Sequence, residues 1–288
     1  MTQQPISDEL PHGYPAASEF DLPLDDLVIN DLPLRVYTFP DGARDPRRTL
    51  ICIPGFSATG RSFARLAPLA SSWDVRMLSG PLDRPYPGNP VESLADVIVE
   101  YASRFERPVI LGTSFGGLVA ISAALRMRGA ISGLILTAAF ANGERLGLLP
   151  FMRQLIPALQ LAAAPLAPIT ARVVGGIGID PAGRSAIVED TLTISAGERA
   201  RRLRAIFSTN LLGRLGEIDC PALVIHGLRD LLVPRARAVE MARALPRCDY
   251  HELPTAGHLP YVTHAEEFVR LTSQFLSNVT EEAKGQRP

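Results

Sequence analysis

Short β-branched runs alternate along this chain with longer stretches whose apolar positions recur every three or four residues. Val28 to Asn30 and Leu34 to Phe39 read as a strand pair closed by a polar turn. Arg48 to Pro54 reads as a strand, with a helix around Ser62 to Ala70 behind it. Asp74 to Leu78 is the next strand and Val91 to Phe105 the next helix. Pro108 then opens the run Val109-Ile110-Leu111, a buried strand. Residues 115 to 128, apolar at Leu118, Ile121 and Leu125, form the helix that follows. Ile131 to Thr137, Ala222 to His226 and Tyr250 to Leu253 complete the strands, with helices at Arg235 to Ala244 and Ala265 to Leu276. Such alternation predicts an α/β fold with a mostly parallel sheet covered on both faces.

The alternation breaks between residues 141 and 215, where helix-like and Pro-rich segments contain no convincing strand. An insertion there sits over the carboxyl ends of the strands, where open α/β sheets bind ligands. The expected organisation is therefore a polar tail over residues 1–25, a core from 26–140 and 216–278, a helical cap over 141–215 and a tail over 279–288.

The junction at Gly112-Thr113-Ser114-Phe115-Gly116 carries the first chemistry. A strand that reverses into a helix around one residue strains that residue, and its neighbours two positions away must be small. This is the nucleophile elbow, with Gly112 and Gly116 as the permissive glycines. A serine hydroxyl needs a base, and the base a carboxylate, later in the chain. Of the five histidines, His258 stands in the loop Ala256-Gly257-His258 after the last strand, at the same sheet edge as Ser114. His12 lies in the tail, His226 ends a strand, His251 is inside one and His264 starts a helix. Asp230 leaves the preceding strand in His226-Gly227-Leu228-Arg229-Asp230, with Glu144 as the rival acid. Oxyanion donors are expected from the backbone N–H of Phe115, after the nucleophile, and of Phe56 in Ile53-Pro54-Gly55-Phe56.

Composition changes this picture little. With 29 basic and 30 acidic residues, no bulk attraction to nucleic acid or an anionic membrane is implied. Cys52, Cys220 and Cys248 lack metal-ligand spacing and read as reduced thiols, and the first residues do not form a signal peptide, so the expected location is the cytoplasm. The 18 uncharged residues from Gln154 to Ala171 reach the length of a membrane span, but Pro157, Pro165 and Pro168 interrupt them, so no span is expected.

In order along the chain, Ile-Pro-Gly-Phe, Gly-Thr-Ser-Phe-Gly, His-Gly-Leu-Arg-Asp and Ala-Gly-His resemble the motifs of the α/β-hydrolase-fold serine hydrolases over about residues 26 to 278. That resemblance implies a mostly parallel eight-stranded sheet flanked by helices, with an inserted cap, and a Ser114–His258–Asp230 triad needing no cofactor or metal. Two departures leave the triad untouched: Pro54 stands where relatives often carry His, and the loop after the Asp74 strand lacks their Arg-Gly-His-Gly-x-Ser sequence.

Leu146, Leu148, Leu149, Phe151, Met152, Leu155, Ile156, Leu159 and Leu161 make the start of the cap apolar nearly all round, which suits a small-molecule ester with an apolar acyl chain. Arg199, Arg201, Arg202 and Arg204 read as a solvated helix face or as a docking patch for an acyl carrier. Carboxylic-ester hydrolysis leads. Thioester cleavage, acyl transfer, C–C hydrolysis and non-catalytic ligand binding remain as alternatives.

Overall fold

The central strands of the sheet are continuous apolar runs because both of their faces are covered. In the computed structural model, which describes residues 21–80, 88–146, 179 and 181–285, β3 (Thr49–Ile53), β5 (Val109–Thr113), β6 (Gly133–Thr137) and β7 (Ala222–Gly227) are buried at every position. Alternate side chains divide between two cores, as the two-residue period of a strand requires. Ile51 and Ile53 join Ile110, Leu134, Leu136 and Val224 on one face, while Leu50 and Cys52 join Leu111, Ile135, Leu223 and Ile225 on the other.

The first core is covered by α1 (Pro90–Ala102) and α2 (Phe115–Arg126). The second is covered by a run of 3₁₀ turns at Gly60–Ser71 and by residues of the C-terminal helix that follows β8. The Ser62 to Ala70 helix is thus wound more tightly than expected, with Pro68 inside it.

Eight strands are ordered β1-β2-β4-β3-β5-β6-β7-β8, with β4 at Asp74–Ser79 and β8 at Cys248–Leu253. β1 (Leu24–Ile29) and β2 (Leu32–Tyr37) pair antiparallel, and β2 runs antiparallel to β4; the remaining neighbours are parallel. The hairpin starts and ends earlier than the apolar pattern suggests. Asn30 and Asp31 both have positive φ (51° and 62°), the geometry of a two-residue primed turn, and this fixes Ile29 opposite Leu32.

Between β6 and β7 lie α3 (Pro181–Thr193) and α4 (Ala196–Ser208), the latter capped by Ser195, whose hydroxyl accepts from the Glu198 N–H at 3.2 Å. Leu203, Ala205 and Ile206 of α4 pack into the first core. The apolar residues Leu148 to Leu161, the stretch from Gln154 to Ala171, most of the loop after β4 and His12 lie outside the described residues. Among the described residues, no helix is long and apolar enough to cross a membrane. The chain then passes through α5 (Arg235–Ala244) and a short α6 (Pro260–Thr263) to the long C-terminal α7 (Ala265–Gly285). Cys52, Cys220 and Cys248 are free thiols.

Candidate active site

Ser114 occupies the turn between β5 and α2 at φ 53° and ψ −118°, a conformation that costs a non-glycine residue on the order of 1–3 kcal/mol. Two backbone bonds hold it there: its N–H donates to the Thr137 carbonyl at 3.1 Å and its carbonyl accepts from the Gly117 N–H at 2.9 Å. The flanking glycines are steric necessities. A Cβ on Gly112 would stand 2.4 Å from the Gly116 carbonyl oxygen, and one on Gly116 would stand 2.3 Å from that of Ile53. Ser114 itself is 8% exposed.

The end of β3 reaches the same place. Gly55 passes beside Ser114, since a Cβ built on it would lie 3.7 Å from the serine Cβ. Phe56 follows, half-buried against the first core. Phe115 is the first residue of α2, so its N–H belongs to the turn whose donors have no partner within the helix.

β7 and β8 deliver the other two groups. Their following loops touch closely enough that a Cβ on Gly227 would meet the Gly257 carbonyl at 2.2 Å, and the Arg229 N–H donates to the Ala256 carbonyl at 2.9 Å. This contact brings His258 Nδ1 within 2.8 Å of Asp230 Oδ2. Oδ1 of the same carboxylate accepts from the N–H groups of Leu232 (2.8 Å) and Val233 (2.9 Å). Burial alone would push the Asp230 carboxyl up. The charge and hydrogen bond of His258 and the two backbone donors outweigh it, and the pKa is lowered. An ionised carboxylate only accepts, so Nδ1 of His258 carries the proton and Nε2 is left as an acceptor.

The remaining candidates make other contacts. Glu144 is exposed, on a 3₁₀ turn that Asn142 caps at 3.0 Å. His226 is buried with Nδ1 lacking a hydrogen-bond partner, and burial lowers its pKa. His251 is exposed on β8. His264 sits between the hydroxyls of Thr255 (2.8 Å) and Thr263 (2.9 Å).

The arginines of α4 do not form the solvated face expected of them. Only Arg204 is exposed; Arg199 and Arg202 are buried and Arg201 is partly so. Arg199 turns back to the carbonyls of Thr191 and Ile194. Arg202 pairs with the buried Glu198 at 2.9 Å, donates Nη1 to the Phe56 carbonyl at 3.1 Å and stands 5.6 Å over the Phe115 ring. Asp190 of α3 is buried too, accepting from the Thr59 N–H at 2.9 Å and from its hydroxyl at 2.6 Å. Nothing in the sequence marks Asp190. Arg202 enters the sequence reading only as a member of the arginine run; its i,i+4 spacing from Glu198 behind Ser195 is the signal that could have singled it out.

Comparison with known proteins agrees with this architecture. The model of the alpha/beta hydrolase family matches residues 50–271, well over half of the chain. The chain is 28% identical over 267 residues to a pimeloyl-(acyl-carrier protein) methyl ester esterase of Neisseria meningitidis serogroup A, covering 84% of this chain and 80% of that one. It is 26% identical over 252 residues to the protein of the same description from Chromobacterium violaceum, covering 79% and 93%. Among solved structures it resembles a hydrolase from Pseudomonas aeruginosa, at a TM-score of 0.77 and 22% identity over 88% of this chain and 98% of that one. An esterase from Exiguobacterium antarcticum gives a TM-score of 0.76 at 16% identity, covering 87% and 97%. With the family model spanning both the Ser114 turn and the Asp230–His258 pair, this chain is a hydrolase and belongs to the alpha/beta hydrolase family.

Proposed function

We propose that this hydrolase cleaves carboxylic esters through a covalent acyl-enzyme on Ser114. The observation that carries the reading is the 2.8 Å bond between His258 Nδ1 and the buried, ionised Asp230, made at the sheet edge where Ser114 holds its positive-φ turn. In this reading Nε2 of His258 takes the hydroxyl proton as Ser114 Oγ bonds to the ester carbonyl carbon. The carbonyl electron pair moves to oxygen, where the N–H groups of Phe56 and Phe115 receive it. Collapse expels the alkoxide, which leaves with the proton held by His258. Water, deprotonated by the same ring, then releases the acid and restores Ser114. In the same reading α3 and α4, the described helices of the 141–215 insertion, belong to a cap over this site.

An apolar acyl group is the substrate class that the composition of residues 146–161 favours. A carrier-bound acyl ester is the second reading, supported by the pimeloyl-(acyl-carrier protein) methyl ester esterases among the relatives. It does not draw on a four-arginine patch, because two of those side chains are buried.

The test is kcat/KM for p-nitrophenyl esters from acetyl to dodecanoyl, corrected for intrinsic reactivity. Each added methylene should gain up to roughly 0.8 kcal/mol of burial, or a few-fold, until the site is full. A profile highest at acetyl would overturn the apolar-acyl reading. A free methyl ester turned over as fast as its carrier-bound form would remove the second.

A further inference from the structure

The two described helices of the β6–β7 insertion grip one short loop, and that loop is the one from which Phe56 offers its N–H. Asp190 of α3 accepts from both donors of Thr59, its N–H and its hydroxyl, at 2.9 and 2.6 Å. Arg202 of α4 takes the Phe56 carbonyl at 3.1 Å and covers the Phe115 ring at 5.6 Å. A fourth hydrogen bond steadies the loop, the Gly60 N–H donating to Ser79 Oγ at 2.6 Å. We infer that Arg202 and Asp190 are positioning residues for the oxyanion site. They hold the Phe56–Thr59 loop at both ends, so that the Phe56 N–H at its start is aimed only while α3 and α4 are docked. The inference rests on the assignment of Phe56 and Phe115 as oxyanion donors.

The chemistry favours a task beyond holding the cap on. Burying Arg202 and Glu198 together costs desolvation that an apolar pair would avoid. What a guanidinium adds is a planar fork with fixed donors, which here serves the Glu198 carboxylate through Nε and the Phe56 carbonyl through Nη1. Asp190 likewise engages Thr59 through both of its oxygens, fixing the direction of the Ala58–Thr59 peptide as well as its distance. A lysine at 202 keeps the charge beside Glu198 but loses the fork.

The experiment compares the wild-type chain with Arg202→Lys, Asp190→Asn and the charge-free pair Glu198→Gln/Arg202→Met. Arg204→Ala removes an exposed guanidinium from the same helix as a control. Rates for p-nitrophenyl butyrate are expressed per Ser114 titrated with a fluorophosphonate, so that unfolded protein does not count as slow protein. A boronic acid, which forms a tetrahedral adduct on the serine with an oxygen in the oxyanion site, serves as the second reading. Removing an oxyanion donor outright costs roughly 10²–10³ in kcat, so loosening one should cost about 10- to 100-fold. KM should stay within about twofold, and the boronic-acid Ki should rise by the same factor as kcat falls. Arg204→Ala should match wild type. Titratable variants with wild-type kcat overturn the inference, as does a kcat loss that leaves the boronic-acid Ki unchanged. A wild-type chain that reacts with neither reagent overturns the serine-hydrolase reading itself, a different result from labelled variants that turn over normally.

Discussion

Replacing Gly116 by alanine adds one methyl group where strand and helix cross. The new Cβ would stand 2.3 Å from the Ile53 carbonyl oxygen and 2.4 Å from that of Pro54. Ordinary contact begins at 3.4 Å, so relief requires a displacement of about 1.1 Å, the difference between 3.4 and 2.3. Both obstacles are backbone, and neither can rotate aside. The displaced segment is the one that leads through Gly55 to Phe56. Overpacking of this kind costs about 1–3 kcal/mol of stability. A misplacement of about 1 Å near reacting atoms costs on the order of 10²-fold in rate. Gly116→Ala should therefore lower kcat/KM about 100-fold, with a melting temperature a few degrees lower. Gly197→Ala is the matched control: Gly197 lies in the first turn of α4, and a Cβ there meets nothing within 4 Å. It should keep full activity and gain up to about 1 kcal/mol from helix propensity. The assay is kcat/KM on one p-nitrophenyl ester together with thermal unfolding of both variants. Wild-type activity in Gly116→Ala would show that this crossing does not set the site.

Asp230→Asn should leave the His258 ring in place but offer it an amide instead of an anion, lowering turnover by about 10⁴. Normal turnover in that variant, with the loss appearing in Glu144→Gln instead, would move the acid to Glu144. The buried His226 gives a pH effect on stability. Burial holds its pKa below the ordinary 6.5, so the unfolded chain binds a proton that the fold excludes. Stability is then complete above about pH 6.5 and falls as pH drops through the lower folded value. His226→Leu, of similar volume and with no buried ring nitrogen to satisfy, should flatten the decline in melting temperature between about pH 7 and 5. An unchanged slope would show that another group is responsible.

Much of this arrangement is legible in the chain because it follows from sheet order. Residues just beyond β5, β7 and β8 share one edge whenever those strands run parallel within one sheet, so Ser114, Asp230 and His258 can be assigned to that edge from strand positions alone. The spacing of Gly112 and Gly116 about Ser114 is legible for the same kind of reason, since no larger residue lets β5 and α2 cross. What escapes is tertiary. A charged run such as Arg199 to Arg204 has the pattern of a wet helix face, and only the approach of the Phe56 carbonyl and the Phe115 ring makes Arg202 an interior side chain. Asp190 pairs with Thr59 across 131 positions of sequence, a separation that no local pattern encodes. The tight 3₁₀ winding of Gly60–Ser71 is likewise hidden, because its apolar residues Phe63, Leu66 and Ala70 suit either kind of helix.

The whole proposed mechanism turns on Ser114 as the nucleophile. The direct measurement is to react the purified chain with a fluorophosphonate and locate the adduct by mass spectrometry of its peptides. One adduct is expected, on Ser114, lost together with ester turnover in Ser114→Ala. The melting temperature of that variant should hardly move, because a largely buried hydroxyl at the sheet edge leaves little cavity when removed. An adduct on another residue, or a Ser114→Ala variant that still labels and turns over ester at the wild-type rate, would contradict it.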